Sequence, residues 1–399
     1  MRVAAQFGSR WYFAAVCLCG LATLSVLSAA ESTAKPASDS GYGATAWPQA
    51  LRMADFILSL QNAGGAIPDE RGVITVNQDS NMDYALIGLA AAYEATKNPK
   101  YLGGFERGIA WLADRQEMAD PDWKGSWYYV YSANPPYQHI PTTPGPGLTD
   151  ARGVDATSAL FAYLLYLDRR LTGNNTFVHR YSANARVALD FVIHHNLDSD
   201  GLSRSSWQLR ADDGKWHFYQ EKYSADQGDV YLGMHAGAML YGDAKYREAA
   251  ERLKTLTSER LFSTSLQRYL LGMDENGNLD SSDDGNSADF SQGYLSWIWG
   301  ESEQSRAALT WLRSKLLPDG SVVSKTGEPV YSLNVAMLAM ANRALAHPAP
   351  PKSLTWFISN VYDSKTGGVY HDPREGRKHE YNNETAFCAI AFLGFLPFD

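Results

Sequence analysis

The chain has 399 residues, 45% of them apolar and 20% charged, which suits one large or two ordinary globular domains with a sizeable core. Its formal charge is −9, or near −11 once Arg2 and Arg10 of the N-terminal segment are set aside (33 basic residues against 44 acidic). With no run of Lys and Arg anywhere, that balance argues against a nucleic-acid partner, which needs a basic patch.

Residues 1–30 read as a signal peptide. Arg2 and Arg10 give a positive start, Trp11 to Leu27 is an unbroken apolar stretch, and Ser28-Ala29-Ala30 supplies small residues for cleavage. The stretch is long enough that an uncleaved anchor is the alternative. Cleavage predicts a secreted or periplasmic protein with no other membrane contact. Cys17 and Cys19 fall in this segment without a convincing lipobox, so the mature chain keeps only Cys388 and forms no internal disulfide. Residues 31–46, rich in Ala, Ser, Thr, Gly and Pro, read as a flexible tether.

From Trp47 to Asp399 a single domain is expected, with helices predicted by periodicity to begin near Trp47, Asn81, Pro99, Asp150, Phe177, Ser224, Ala244, Phe290, Glu303, Tyr331, Lys352 and Asn382. They alternate in character. The odd ones are amphipathic, as in "YREAAERLKTL" and "SRAALTWLRSKL", each with one apolar stripe and one charged face. The even ones are apolar or small nearly all round, as in "ALIGLAAAY", "ATSALFAYLLYL" and "TAFCAIAFLGF", and a helix of that kind is buried on every side. Six outer and six inner helices in alternation predict an all-α (α/α)6 toroid of six helical hairpins. Inner-to-outer links such as "KNP", "GNNT" and "YGD" are short; outer-to-inner links are long and therefore share one face. Gly-rich turns in the long links ("NAGGAIPD", "DSDGLSRSSW", "PDGSVVS", "KTGGVYHD") predict short β-hairpins there.

The inner helices open on polar clusters: "QDSNMD" (78–83), "DARGVD" (150–155), "SADQGD" (224–229), "DFSQGY" (289–294), "EPVYSLN" (328–334) and "EYNNET" (380–385). N-capping accounts for about half of these acids. It leaves unexplained the starts that carry two acids, Asp79/Asp83, Asp150/Asp155 and Asp226/Asp229, and the aromatic loops beside them. Those loops, "DPDWKGSWYYVYSANPPYQ" and "SSWQLRADDGKWHFYQEKY", carry Trp127, Tyr128 and Trp207 among others. An aromatic face stacks on the C–H face of a sugar while polar neighbours take its hydroxyls. Glycosidic cleavage needs two carboxyl groups, one to protonate the leaving oxygen and one to activate water or attack the sugar. A ring of acids at helix starts offers both roles, since the helix dipole favours an anion and a like charge nearby raises one member's pKa. Two of Asp79, Asp155 and Asp226 are therefore the expected catalytic pair. Gln78, Trp127, Tyr128, Arg152, Trp207, Gln227, Asp229 and Tyr331 are the expected substrate contacts.

On these features the chain resembles the six-hairpin glycosidase superfamily, which holds unsaturated glycuronyl hydrolases, glucoamylase-like enzymes, polysaccharide lyases and sugar epimerases. "MDY" (82–84) and "ARG" (151–153) resemble the segments around the two catalytic aspartates of the unsaturated glycuronyl hydrolases. That resemblance adds Asp83, and a residue near Arg152, to the catalytic candidates. "FILSLQNAGGAI" (56–67) also resembles the Gln-and-Gly helix-to-turn repeat of terpenoid-cyclase toroids, but the mature chain lacks their aspartate-run motifs; Asp283-Asp284 lies in a Gly/Asn-rich loop. No zinc spacing, calcium loop, phosphate loop or dinucleotide fingerprint appears, so no metal or cofactor is expected. The expected function is an exported glycoside hydrolase acting on an oligo- or polysaccharide. A polysaccharide lyase or sugar epimerase on the same fold is the first alternative, and a non-catalytic glycan-binding or envelope protein the second.

Overall fold

The computed structural model describes residues 41–219, 221–282, 285–323, 331–372 and 377–398, apart from the side chains of residues 44 and 285–289. The expected signal peptide, residues 31–40 of the expected tether and the Asp283-Asp284 pair lie outside the described residues. Twelve α-helices are described: α1 (Trp47–Leu60), α2 (Asn81–Thr96), α3 (Pro99–Arg115), α4 (Asp155–Thr172), α5 (Thr176–Phe191), α6 (Ser224–Tyr241), α7 (Ala244–Arg260), α8 (Gly285–Trp299), α9 (Glu303–Ser314), α10 (Ser332–Ala344), α11 (Pro351–Asn360) and α12 (Asn382–Leu393).

The even helices form the inner ring. Helix α2 packs on α4, α4 on α6, α6 on α8, α8 on α10, α10 on α12, and α12 returns to α2. Their all-round apolarity is used in full: every residue of α4 from Asp155 to Asp168 and of α2 from Met82 to Ala92 is buried. Small residues set the spacing. A Cβ on Gly233 of α6 would stand 2.2 Å from the Ala159 carbonyl oxygen of α4, so only glycine allows that approach. The odd helices clothe the ring, α3 on α2, α5 on α4, α7 on α6, α9 on α8, α11 on α10, and α1 on α12. Short links therefore join the first five inner helices to the outer helices that cover them, while α12 is covered by α1 from the other end of the chain.

The long links meet at one end of the ring, and ten short strands lace them together: β1 (Thr75–Asn77), β2 (Val130–Ser132), β3 (Leu148–Arg152), β4 (Trp207–Arg210), β5 (Trp216–Phe218), β6 (Lys222–Tyr223), β7 (Phe262–Ser263), β8 (Arg268–Tyr269), β9 (Gly272–Met273) and β10 (Leu279–Asp280). Hairpins are present, β4 with β5 and β7 with β8. Other pairings cross between links: β1 with β2, β3 with β4 and β6 with β9 join neighbouring loops, and a bridge from Glu70 to Tyr381 joins the first link to the last. Long irregular chains lying side by side satisfy their backbone groups on one another. The result is a collar rather than a set of separate hairpins.

Two expectations are corrected. The tether does not extend to residue 46: Gly41 bridges Pro348, Tyr42 is buried edge-on against Phe392, and Ala46 is fully buried. Asp150 does not open a helix but lies in β3, where its Oδ1 is within 3.1 Å of His139 Nε2; α4 begins at Asp155.

Candidate active site

The collar surrounds a cavity of about 280 Å³ at the starts of the inner helices. Each inner helix contributes to its wall: Asp79, Ser80, Asn81 and Tyr84 at the start of α2, Asp155 and Ala156 of α4, Ala225, Asp226 and Asp229 of α6, Phe290 of α8, Leu333 of α10, and Asn383 and Phe387 of α12. Four carboxyl groups thus meet Tyr84 and an apolar wall, and no Lys, Arg or His lines the cavity among the described residues.

These acids are not helix caps. Side-chain N-caps among the described helices belong to outer ones: Asn98 on α3, Asp243 on α7 and Ser302 on α9. Helices α2, α4, α6, α10 and α12 follow Ser80, Val154, Tyr223, Tyr331 and Tyr381, none of which makes a side-chain cap bond. Capping therefore explains fewer of the acids than their sequence positions imply, and their carboxyls are left for other partners.

Each acid has its own surroundings. Asp79 follows β1, is solvent-exposed, and accepts a 3.1 Å hydrogen bond from the Tyr129 hydroxyl. Surrounding protein raises its pKa from the ordinary carboxylate value, an effect its contact with solvent limits. Asp155 is fully buried and accepts on both oxygens, from Ala156 N at 2.7 Å and from the Ser203 hydroxyl at 2.5 Å. Burial, and next the charge of Asp226, push its pKa well above the ordinary value, and the two hydrogen bonds oppose this. On Asp226, Oδ2 is buried with no hydrogen-bond partner among the described residues. Burial, then the charges of Asp229 and Asp79, push Asp226 well up. Asp229 takes the Tyr84 hydroxyl on Oδ2 at 2.7 Å and the Tyr294 hydroxyl on Oδ1; burial raises it to about 7 and the two tyrosines hold it down.

Asp79, Asp155, Asp226 and Asp229 are thus brought together. Asp83 is not: it is fully buried, off the cavity wall, and pushed well up by burial and by Asp229. Asp83 adjoins Thr157 of α4 and Asp229 instead. Most of the expected substrate contacts lie off the cavity wall. Trp127 is buried, its indole N–H donating to Leu112 O at 2.8 Å. Gln227 clamps the third long link, accepting from Ser203 N and donating to Ser203 O and Tyr223 O. Gln78 is buried off the cavity wall, and its carbonyl takes the Thr157 hydroxyl at 2.6 Å. Tyr331 sits beside His371, ring to ring at 5.0 Å, off the wall. Arg152 is buried between the rings of Trp123 and Tyr128, 4.2 and 4.3 Å from their centroids, and Trp207 packs on Trp123 and Phe218. Tyr128, Arg152 and Trp207 thus belong to one packed block in the collar, off the cavity wall. Sequence reasoning missed Tyr84, Asn81, Asn383, Phe290, Leu333 and Phe387 as wall residues. Helical spacing from Ser80 to Tyr84 was the available signal for Tyr84.

No metal-binding group of three or more His, Cys, Asp or Glu is found among the described residues, and no described helix is long and apolar enough to cross a membrane. No family model matches the chain, and no curated protein matches it. Solved structures do. A D-mannose isomerase aligns with a TM-score of 0.63 at 11% identity, over 88% of this chain and 97% of its own. A cellobiose 2-epimerase from Bacillus thermoamylovorans aligns at 0.62 and 11%, over 88% and 99%. An alpha-1,6-mannanase from Salegentibacter aligns at 0.56 and 11%, over 87% and 98%. The chain shares their fold, the (α/α)6 toroid. Identity this low carries the architecture and leaves the site to be argued from its own residues.

Proposed function

We propose that this protein is a glycoside hydrolase whose catalytic pair is Asp155 and Asp226. The observation that carries this is the pair itself: two carboxyls on neighbouring inner helices, facing one cavity, each raised by burial and by a nearby negative charge. Two carboxyls on one cavity that raise each other's proton affinity lose their protons in succession, so one can serve as acid while the other serves as base. Hydrogen bonding divides the roles. Asp155 accepts on both oxygens, which favours its ionised form, whereas Asp226 has the Ser205 hydroxyl alone to oppose its proton and no donor on Oδ2 among the described residues. Asp226 then gives its proton to the glycosidic oxygen, and the electrons of the broken C–O bond leave with that oxygen. Asp155 takes a proton from the water that adds to the anomeric carbon, or attacks that carbon directly.

The wall also supports a substrate class. With four carboxyls and no basic group among the described lining residues, a uronate carboxylate would meet repulsion and no counter-charge. Neutral or amino sugars fit, with Tyr84, Phe290 and Phe387 offering ring faces and Asn81 and Asn383 offering amides. The same absence weighs against a lyase, which must neutralise a uronate. The likeness to a sugar isomerase and an epimerase supports a second reading, proton exchange at a sugar carbon. Action outside the cytoplasm is part of the proposal and rests on the character of residues 1–30.

Mass spectrometry of products from a panel of neutral, amino and uronic glycans tests this. Hydrolysis adds one water to the products; isomerisation in heavy water adds deuterium without cleavage; no turnover on any glycan overturns both readings. Asp155→Asn and Asp226→Asn are each expected to lose about 10²–10⁴-fold in kcat, the usual contribution of acid–base catalysis. An aryl glycoside with a good leaving group should rescue Asp226→Asn and not Asp155→Asn.

A further inference from the structure

Resting on the hydrolase reading, we propose that Asp229 is a positioning residue, clasped by Tyr84 and Tyr294 so that its fixed negative charge keeps the proton on Asp226. The clasp is built from three inner helices. Asp229 lies on α6, one helical turn beyond Asp226, so both carboxyls emerge on the same face. The Tyr84 hydroxyl from α2 donates to one oxygen of Asp229 and the Tyr294 hydroxyl from α8 donates to the other. All three side chains are buried, Tyr294 completely. A carboxyl that accepts a hydroxyl proton on each oxygen cannot turn, and the two donors oppose the upward push of burial, so Asp229 gives up its proton more readily than Asp226, whose Oδ2 has no donor among the described residues. Neither tyrosine is explained by packing alone, since a phenylalanine would fill the same volume without leaving a buried hydroxyl to satisfy.

The charges facing this group come from every side of the cavity. On α6 itself Asp226 stands next to Asp229; α4 presents Asp155; the link before α2 presents Asp79; α2 presents the buried Asp83. Tyr219 and Tyr223, bonded to each other at 2.9 Å, and Ser205 face Asp226 from the third long link. No cation is among these groups to neutralise Asp229. Its charge is the foremost of those raising Asp226, whereas at Asp155 the charge of Asp226 comes first and that of Asp229 last.

The consequence is a displaced proton. Removing the Asp229 charge lowers the affinity of Asp226 for its proton, so the basic limb of the rate profile should move to lower pH, by on the order of one unit or more for a like charge at this range. The test uses Asp229→Asn, with Tyr294→Phe as the milder variant in case the first does not fold. Two readouts are taken: kcat/KM against pH on whichever glycan the wild type cleaves, and the titration midpoint of Asp226 by carbon-13 NMR of labelled aspartate, assigned with Asp226→Asn. The expected result is a downward shift of limb and midpoint together in Asp229→Asn, a smaller shift in Tyr294→Phe, and a KM within about twofold of wild type. A lower melting temperature with limb and midpoint unmoved would make the clasp merely structural and overturn the proposal. A shifted midpoint in a protein that cleaves no glycan would support the clasp and sink the hydrolase reading alone.

Discussion

At the scale of single residues, acids in this molecule behave according to what their own oxygens touch. Asp155 and Asp229 are both buried acids, yet each has two donors. Asp168, in the last part of α4 and away from the cavity wall, is equally buried and has no hydrogen-bond partner on either oxygen among the described residues. Burial, and next the charge of Glu106, raise it to about 7, above the 3.8 of an unperturbed aspartate. The folded state thus binds this proton more tightly than the unfolded state does. Its contribution to stability is fullest below about pH 4, falls as pH rises toward 7, and is level beyond that. Asp168→Asn removes the titration, so its melting temperature relative to wild type should climb between about pH 4.5 and pH 8. Differential scanning calorimetry at matched ionic strength checks this; a flat difference would remove Asp168 as the source.

At the scale of elements, the turns after the outer helices matter as much as the helices. Gly125 (φ +102°) and Gly320 (φ +99°) adopt left-handed backbone, and a Cβ on either would lie 2.2–2.3 Å from a carbonyl oxygen of the next outer helix, Val187 or Lys352. The same contact recurs at Gly65 against Arg107 and at Gly367 against Arg52, so each turn latches one outer helix to its successor. Glutamine staples reinforce the turns at Gly65 and Gly125: Gln61 donates to Gly65 O and Gly104 O, and Gln116 to Gly125 O and Asn184 O. Gly320→Ala combines a left-handed alanine with a backbone clash and should cost about 2–4 kcal/mol. Urea denaturation would measure it, and a cost near that of an exposed-loop substitution would refute the latch. The repeated Gly-rich motif was legible in the sequence, but as hairpin turns. Its role in joining outer helices was hidden because the partner carbonyl lies many residues away.

For the whole molecule, the ring must close on itself, and it does so where α12 packs on α1 and α2. The segment before α1 takes part in that seam, with Gly41 bridged to Pro348 and Tyr42 buried against Phe392. A chain beginning at Trp47 should melt lower than one beginning at Gly41 by about 3–8 °C, since it loses a buried aromatic. Equal melting temperatures would show that the seam closes without this segment.

The sequence alone determined the toroid, because that fold follows from local properties. Apolarity on every side buries a helix, a single stripe exposes its other face, and the lengths of the links place the loops on one end. It also determined that acids gather there, since Asp79, Asp155, Asp226 and Asp229 all begin inner helices or stand one turn in. Only the tertiary structure decided which of them face the cavity. Asp83 and Tyr84 are adjacent in sequence, yet one is buried off the cavity wall and the other lines it, because packing fixes the rotation of α2 to within a fraction of a turn. The aromatic loops were decided the same way. Trp127, Tyr128 and Trp207 have the composition of a sugar platform, but their rings are taken up by Leu112, Arg152 and Phe218, partners that pairing between separate loops brings together and sequence spacing does not encode.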